Sequence, residues 1–241
     1  MTSPVEFGFV AALEREVSGL VRNWSRTGIG IAGVQRRICC SRNAALICAG
    51  TGVEQAYAAA KVLVEKCSPG MILSIGFAGS CIPGLRPGAV VVPATVLDAA
   101  EGKTFRCAFG SGCLVTLDRV AGKALKQESA ARLGALAIDM EATGVAAAAF
   151  ECGREFAAIK AVSDGADEDL SFLSGFVTPE GFEALRFIAH LAFRPRLWPG
   201  VAALNRNSKL AAAALQSAVA ECMNDGRKFS AKHSPAGAEV Q

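Results

Sequence analysis

Histidines and paired cysteines, which supply many catalytic and metal sites, are scarce in this 241-residue sequence. Of its two histidines, His190 lies in the apolar segment FIAHLAF and His233 in a polar tail. Ser-His-Asp or Cys-His catalysis would depend on His190 alone, which a packed helix accommodates equally well. The nine cysteines form no CxxC pair and lie within or beside apolar segments. We therefore expect buried, reduced thiols and no metal site.

Long apolar runs and a strong net charge are also missing. No run reaches the roughly 18 apolar residues of a membrane span, and the first segment, MTSPVEFGFVAALEREV, lacks the basic residues of a signal peptide. The net charge of +3 is too small to indicate a nucleic-acid partner. These features predict a cytoplasmic protein that binds no nucleic acid.

The hydrophobic content of 51% is enough for one sizeable core. We expect a single domain over residues 1–226, with a basic, Trp-containing extension from about residue 194, and a mobile tail over 227–241. Arg194, Arg196, Arg206 and Lys209 lie around Trp198 in the extension. Such a pattern suits either an anionic membrane surface or packing against the domain or a neighbouring subunit. The first alternative would place the protein peripherally at the inner membrane.

Short, almost wholly apolar runs predict strands that are buried on both faces. They cover residues 5–13, 44–50, 71–76, 89–97, 135–139 and 156–163, and helical segments follow at 53–67, 141–153 and 179–193, with another helix starting near Asn207. This alternation predicts an α/β fold, a three-layer α/β/α sandwich with a central mixed sheet.

Polar residues and glycine turns follow several of the predicted strands, where open α/β sheets bind ligands. They are Glu14, the turns GTG (50–52) and GFAGS (76–80), Asp139 with Glu141, and Ser163, Asp164 and Asp167. Singly, each acid is equally consistent with a helix cap or a solvated residue, and each glycine turn with a simple connection. Their shared placement predicts one ligand site at an edge of the sheet.

Five segments in the same order identify a resemblance: AALEREV, GTGVEQAYAAAKVL, SIGFAGSCIPGLRPGAVVVP, IDMEATGVA and AVSDGAD. From about residue 5 to residue 190 the chain resembles the superfamily of nucleoside phosphorylases and methylthioadenosine/adenosylhomocysteine nucleosidases. The resemblance implies a nucleoside phosphorylase-like fold, a homo-oligomer, a purine nucleoside substrate and no metal or organic cofactor. The C-terminal extension resembles the hopanoid-associated branch, which is thought to remove adenine from an adenosyl-hopanoid.

The resemblance also implies roles for individual residues. Asp164 would protonate or hydrogen-bond the departing purine, helped by a raised pKa, and Ser163 would hold it in place. Glu141 would bind the ribose hydroxyls, with Met140 packed against the sugar. Asp139 would be a neighbouring structural acid. Glu14 would activate water, and the loop Gly76, Phe77, Ala78, Gly79 would lie beside the nucleophile.

The nucleophile itself is open between water and phosphate. Ser74 stands where related phosphorylases carry an arginine, and a phosphate beside Glu14 would be repelled by its charge. Lys160, Arg36 or Arg37 could supply compensating charge. Because the branch resemblance favours phosphate as co-substrate, we rank phosphorolysis ahead of hydrolysis. A non-catalytic binding protein, with Phe77 blocking the chemistry, is the third alternative. For the base-binding segment 114–125, Val120 and Asp118 are the candidates.

Overall fold

The computed structural model describes residues 5–178, 181–182 and 198–233. Within these residues, eleven strands form one mixed sheet and a further two-stranded hairpin lies apart from it. The sheet strands are β1 Phe7–Ala11, β2 Ser25–Ile31, β3 Val34–Cys40, β4 Ala44–Cys48, β5 Met71–Ser80, β6 Val90–Val91, β7 Thr95–Asp98, β8 Thr104–Arg106, β9 Cys113–Thr116, β10 Ala135–Asp139 and β11 Glu155–Asp164; the hairpin strands are β12 Val177–Thr178 and β13 Gly181–Phe182.

The sheet runs in the order β2-β3-β4-β1-β5-β10-β9-β7-β8, and β11 pairs with both β5 and β6. β1 lies between β4 and β5, parallel to both, and β11 is also parallel to β5. β10 runs antiparallel to β5 and meets it only at the end of that strand, where Ile138 faces Gly79. The carboxyl ends of β1, β5 and β11 therefore reach the same edge of the sheet.

The helices are α1 Glu14–Val17, α2 Val53–Cys67, α3 Lys123–Leu133, α4 Ala142–Glu151, α5 Trp198–Asn224 and α6 Gly226–His233, with a 3-10 helix at Ser171–Phe176. One core joins α2 and α4 to one face of the sheet, and a second joins α1, α5 and α6 to the opposite face. This is the predicted three-layer α/β/α sandwich, and it explains why the central strands are apolar on both faces.

Small residues set the close packing of α2 on α4. α2 buries Ala56, Ala59, Ala60 and Leu63 at helical spacing. On α4, a Cβ added to Gly144 would lie 2.1 Å from the carbonyl oxygen of Val53, so the two helices approach at this glycine. The predicted helix over 53–67 has these bounds in the structure.

Elsewhere the structure departs from the sequence prediction. The hairpin β2–β3 was not predicted, because its strands mix exposed polar and glycine residues with few buried ones. The predicted strand 89–97 is divided into β6 and β7, with Pro93 between them, since proline cannot donate a ladder hydrogen bond. The helix expected to start near Asn207 begins at Trp198.

The predicted mobile tail 227–241 is wrong for residues 227–233, which form most of α6. Phe229 on this helix is fully buried and packs edge-on against Phe109 at 5.9 Å between ring centroids. One well-placed aromatic therefore anchors a segment whose composition is polar. Residues 234–241 and most of the predicted helix 179–193, including His190, lie outside the described residues. Among the described helices, none combines the length and apolar character that crossing a membrane requires.

Candidate active site

A cavity of about 690 Å³ opens at the sheet edge where β1, β5 and β11 end. Segments from four parts of the chain line it: residues 12–13 and 15–16 after β1, 77–79 of β5, 138–141 around the end of β10, and 163–164 of β11. The cavity is also lined by Thr51, residues 119–121, Lys126, Leu170 and four residues of α5. The structure thus brings together residues that the sequence placed after separate strands, as expected for ligand sites in α/β sheets. Asp167, in contrast, is exposed and pairs with Lys123.

Glu16, rather than the predicted Glu14, is the acid that α1 directs into the cavity. Glu16 is 3% exposed, whereas Glu14 is exposed to solvent and does not line the cavity. The backbone N–H groups of Ala12 and Leu13 donate to Glu16 Oε2 at 3.2 and 3.1 Å, and the Phe77 N–H donates to Oε1 at 3.3 Å. Burial raises the pKa of Glu16.

Gly76 lies against the Glu16 carboxylate and is not one of the residues that line the cavity. It has a φ of +147°, and a Cβ added there would lie 3.1 Å from Glu16 Oε2. Glycine is favoured for both reasons, since it adopts positive φ without strain and leaves room for the carboxylate. The predicted loop residues Phe77, Ala78 and Gly79 line the cavity directly.

Glu141 begins α4 and lies beside Met140 in the cavity wall. Its Oε1 accepts from the Gly52 N–H at 3.1 Å and its Oε2 from the Met140 N–H at 3.3 Å. Burial, with a smaller contribution from the charge of Asp139, raises the pKa of Glu141 to about 7. The Glu16 carboxylate acts in the same direction, which places the two acids within electrostatic reach of each other.

Asp139 belongs to a buried polar network at the edge of the cavity, which it also lines. Its Oδ2 forms an ion pair with Lys160 Nζ at 2.8 Å, and its Oδ1 accepts from Thr116 Oγ1 at 2.7 Å. Lys160 also donates to Ser74 Oγ at 2.9 Å. Burial by itself would lower the pKa of Lys160, but the carboxylates of Asp139 and Glu141 outweigh it and the net shift is upward. A structural role for Asp139 remains a prediction from the resemblance.

Asp164 ends β11 with its carboxylate in the cavity wall, 5% exposed. Ser163 Oγ donates to Asp164 Oδ1 at 2.7 Å, which matches the holding role predicted for Ser163. The other oxygen, Oδ2, accepts from Nζ of Lys126. The charged group in contact with Asp164 is therefore a buried lysine of α3.

Part of the cavity lining is apolar. Val120 of the predicted base-binding segment lines it, as do Ile138 and Leu170, whereas Asp118 is exposed and pairs with Arg119. The guanidinium of Arg15 lies over the Phe77 ring at 5.8 Å from the centroid, and both residues line the cavity. The site therefore joins an apolar region suited to a flat base with a polar region suited to a sugar.

Two residues of this site, Glu16 and Lys126, were missed in the sequence. A signal for Glu16 exists: Leu13, Glu16, Val17 and Leu20 share one face of a helix at spacings of three and four residues, so an acid falls among apolar residues. Glu14 falls on the opposite, solvent-facing side. Lys126 carries no comparable signal, because its partner Asp164 is 38 residues away in the chain.

A family model and solved structures match this chain. The model of the phosphorylase superfamily matches residues 99–186, a range that contains Glu141, Ser163 and Asp164. The fold is that of the nucleosidases in this superfamily. The methylthioadenosine/adenosylhomocysteine nucleosidase of Neisseria meningitidis, in complex with methylthio-immucillin-A, superposes with a TM-score of 0.69 at 17% identity, covering 94% of this chain and 100% of that chain.

Two further solved structures share this fold. The futalosine hydrolase of Helicobacter pylori gives a TM-score of 0.65 at 16% identity and covers 90% of this chain and 98% of that chain. The methylthioadenosine/adenosylhomocysteine nucleosidase of Colwellia psychrerythraea, in complex with adenine, gives 0.59 at 18% identity and covers 68% and 85%. The solved structures confirm the predicted fold class, and the family model supports the resemblance to the phosphorylase superfamily over residues 99–186.

Proposed function

We propose that this protein cleaves the N-glycosidic bond of a purine nucleoside, with adenine as the departing base and water as the nucleophile. The convergence of Glu16, Glu141 and Asp164 in one cavity carries the proposal, because the reaction needs a group for each of its three parts. The base must leave, the sugar must bear positive charge, and a nucleophile must attack. The proposed steps use protein side chains and water, without a metal or an organic cofactor.

Asp164 serves the leaving base. A purine anion leaves poorly, so its nitrogen must be protonated or hydrogen-bonded as the bond to ribose breaks. The Ser163 hydroxyl fixes Asp164 Oδ1, and the carboxyl borders the cavity beside the apolar region suited to a base. This assignment keeps the role that the resemblance implies for Asp164.

Glu141 serves the ribose. A carboxylate has about four lone-pair sites on its two oxygens, and the N–H groups of Gly52 and Met140 occupy one on each. The remaining sites can accept from the 2′ and 3′ hydroxyls of a ribose. The same negative charge stabilises the cationic sugar of the transition state. Met140, in the cavity wall next to Glu141, provides apolar contact for the sugar ring.

Glu16 serves the nucleophile. Three backbone N–H groups hold its carboxylate, and its raised pKa makes it a better base near neutral pH than an ordinary glutamate. A phosphate in the position of the attacking water would lie beside the carboxylates of Glu16 and Glu141. Two unit charges of the same sign about 4 Å apart repel by about 4 kcal/mol at an effective dielectric constant of about 20. For this reason we rank hydrolysis ahead, reversing the order taken from the sequence.

Phosphorolysis is the second candidate because of Arg15. Its guanidinium lines the cavity beside Phe77, where it would offset part of a phosphate's charge. Neither Arg36 nor Arg37, which the sequence suggested for this purpose, lines the cavity. An adenosyl-hopanoid substrate, a homo-oligomer and a cytoplasmic or membrane-peripheral location remain predictions from the sequence.

Adenine release from adenosine and from methylthioadenosine, with and without phosphate, tests the proposal. We expect release that is independent of phosphate and a free pentose as the second product. A rate that saturates with phosphate and yields a sugar 1-phosphate would establish phosphorolysis instead. Binding of these nucleosides without any release of adenine would support the non-catalytic alternative.

A further inference from the structure

Lys126 is a buried lysine for which the proposed reaction has so far no use. Its side chain is 1% exposed, and it lines the cavity. The ammonium makes three contacts: Asp164 Oδ2, the Gly165 carbonyl oxygen at 2.9 Å and the Glu168 carbonyl oxygen at 2.9 Å. Since an ammonium has three N–H donors, this set of acceptors uses all of them.

The surrounding backbone leaves room for this lysine and its aspartate partner. Gly79 pairs with Asp164 across β5 and β11, and a Cβ added to Gly79 would lie 2.8 Å from Asp164 Oδ2 and 3.2 Å from Lys126 Cε. A side chain at position 79 would therefore displace one of the two charged groups. The close contact of Lys126 with Asp164 is built into the strand as well as into α3.

We propose that Lys126 is the source of the proton that the leaving base receives, and that Asp164 passes this proton on. The inference rests on the proposed cleavage of a purine nucleoside. Lys126 acts through Asp164 and need not touch the substrate. An ionised Asp164 has no proton to give, whereas the pair of ammonium and carboxylate holds one that can be moved.

The transfer is balanced in protons and electrons. The Nζ–H bond of Lys126 breaks, its electron pair stays on nitrogen, and an O–H bond forms at Asp164 Oδ2. That O–H turns about its C–O bond toward the cavity and delivers the proton to a ring nitrogen of the base. The bond between that base and ribose C1′ breaks, and its electron pair stays with the base. Asp164 is again a carboxylate, and the neutral Lys126 amine regains a proton from solvent after the base departs.

Burial favours the first step. Two opposite charges held away from water are each costly, and moving one proton from Nζ to Oδ2 removes both charges together. Among the described residues, the Asp169 carboxylate and the Cys81 thiol are titratable groups that interact electrostatically with the pair. Burial raises the pKa of Cys81 to about 11, so the thiol stays neutral in the assays described below. The Glu168 side chain is turned to Asn207 of α5.

The pH dependence of kcat for Lys126→Met, measured as adenine release and divided by the parent value at each pH, tests the inference. In this variant Asp164 alone must hold the proton, so the variant is active only where the free carboxyl is protonated. We expect a loss of about 10³-fold at about pH 8, which shrinks by about ten-fold for each pH unit and vanishes at about pH 5. KM should change much less than kcat.

Two further variants complete the design. Lys123→Met removes an exposed lysine one turn earlier on α3, which pairs with the loop residue Asp167, and should retain the parent rate. Lys126→Arg keeps the positive charge but does not release a proton, and should lose activity at every pH. If Lys126→Met fails to fold, which circular dichroism at each pH would show, parent-like activity of Lys126→Arg would still overturn the inference.

Each outcome bears on one of the two proposals. A parent that releases no adenine overturns the proposed function and this inference with it. An active parent whose Lys126→Met loss is the same at every pH overturns the inference alone, because a purely structural lysine would give that result. Parent-like activity of Lys126→Arg at about pH 8 would also overturn the inference alone. A positive charge without a transferable proton would then be sufficient for the parent rate.

Discussion

Replacing Glu16 by glutamine tests which of the two acids of α1 takes part in the reaction, since Glu16 lines the cavity and Glu14 does not. The change keeps the shape of the side chain but removes the charge and the basicity of the carboxylate. Glu14→Gln is the matched control, since it makes the same chemical change two residues earlier on the same helix, at an exposed position outside the cavity.

The structure sets the size of the expected effect. Loss of a general base lowers a rate by about 10²–10⁴-fold, which corresponds to about 3–5 kcal/mol in the activation free energy. The amide also has one acceptor oxygen where the carboxylate has two, and both oxygens of Glu16 accept from backbone N–H groups. At least one of these donors would face an NH₂ group, which costs about 1–3 kcal/mol of stability.

The assay is adenine release at neutral pH, with thermal unfolding of each variant measured in parallel. Glu16→Gln should lose at least about 10²-fold in kcat and some stability, while Glu14→Gln should match the parent in both. Added phosphate should not rescue Glu16→Gln. Equal rates for the two variants would refute the role of Glu16, and a selective loss in Glu14→Gln would restore the assignment made from the sequence.

Three further changes address the remaining acids. Asp164→Asn should reduce kcat by about 10²–10⁴-fold without unfolding the protein; near-parent turnover would remove Asp164 from the reaction. Glu141→Gln should abolish the preference for adenosine over 2′-deoxyadenosine, and unchanged discrimination would mean that the 2′-hydroxyl is bound elsewhere. The same variant should alter the pH dependence of stability. Because the pKa of Glu141 is raised from 4.5 to about 7, its stabilising contribution is fully present below about pH 4.5 and is lost as the pH rises through about 7. In urea unfolding, the stability of the variant should therefore decline less than that of the parent over this range. Lys160→Met leaves the Asp139 carboxylate buried without its cation, at a cost of about 3–5 kcal/mol in the free energy of unfolding, and adding Asp139→Asn should recover part of that loss.

The apolar runs and the glycine turns determined much of the architecture in advance. A strand covered by helices on both faces must be apolar throughout, so β1, β4, β5 and β11 are visible as short apolar runs in the sequence. The polar residues that interrupt or end such runs then have few roles other than function. For this reason Glu141, Ser163 and Asp164 could be placed at one site before any coordinates were known.

Which neighbouring residue faces the site was decided by tertiary structure. Glu14 and Glu16 are both acids in one short motif, but the turn of α1 buries only Glu16 against the Gly76–Phe77 backbone. The hairpin β2–β3 and helix α6 likewise depend on contacts with other parts of the fold. In α6, the contact is that of Phe229 with Phe109.

Lys126 shows most clearly what the sequence by itself does not determine. Its position on α3 has no distinguishing pattern, because the features that define its role are Asp164, two carbonyl groups and the room left by Gly79. Local periodicity reports which face of an element is buried, and it carries no information on which distant group that face will meet. The pairing of an ammonium with the carboxylate in the cavity therefore exists only once the chain is folded.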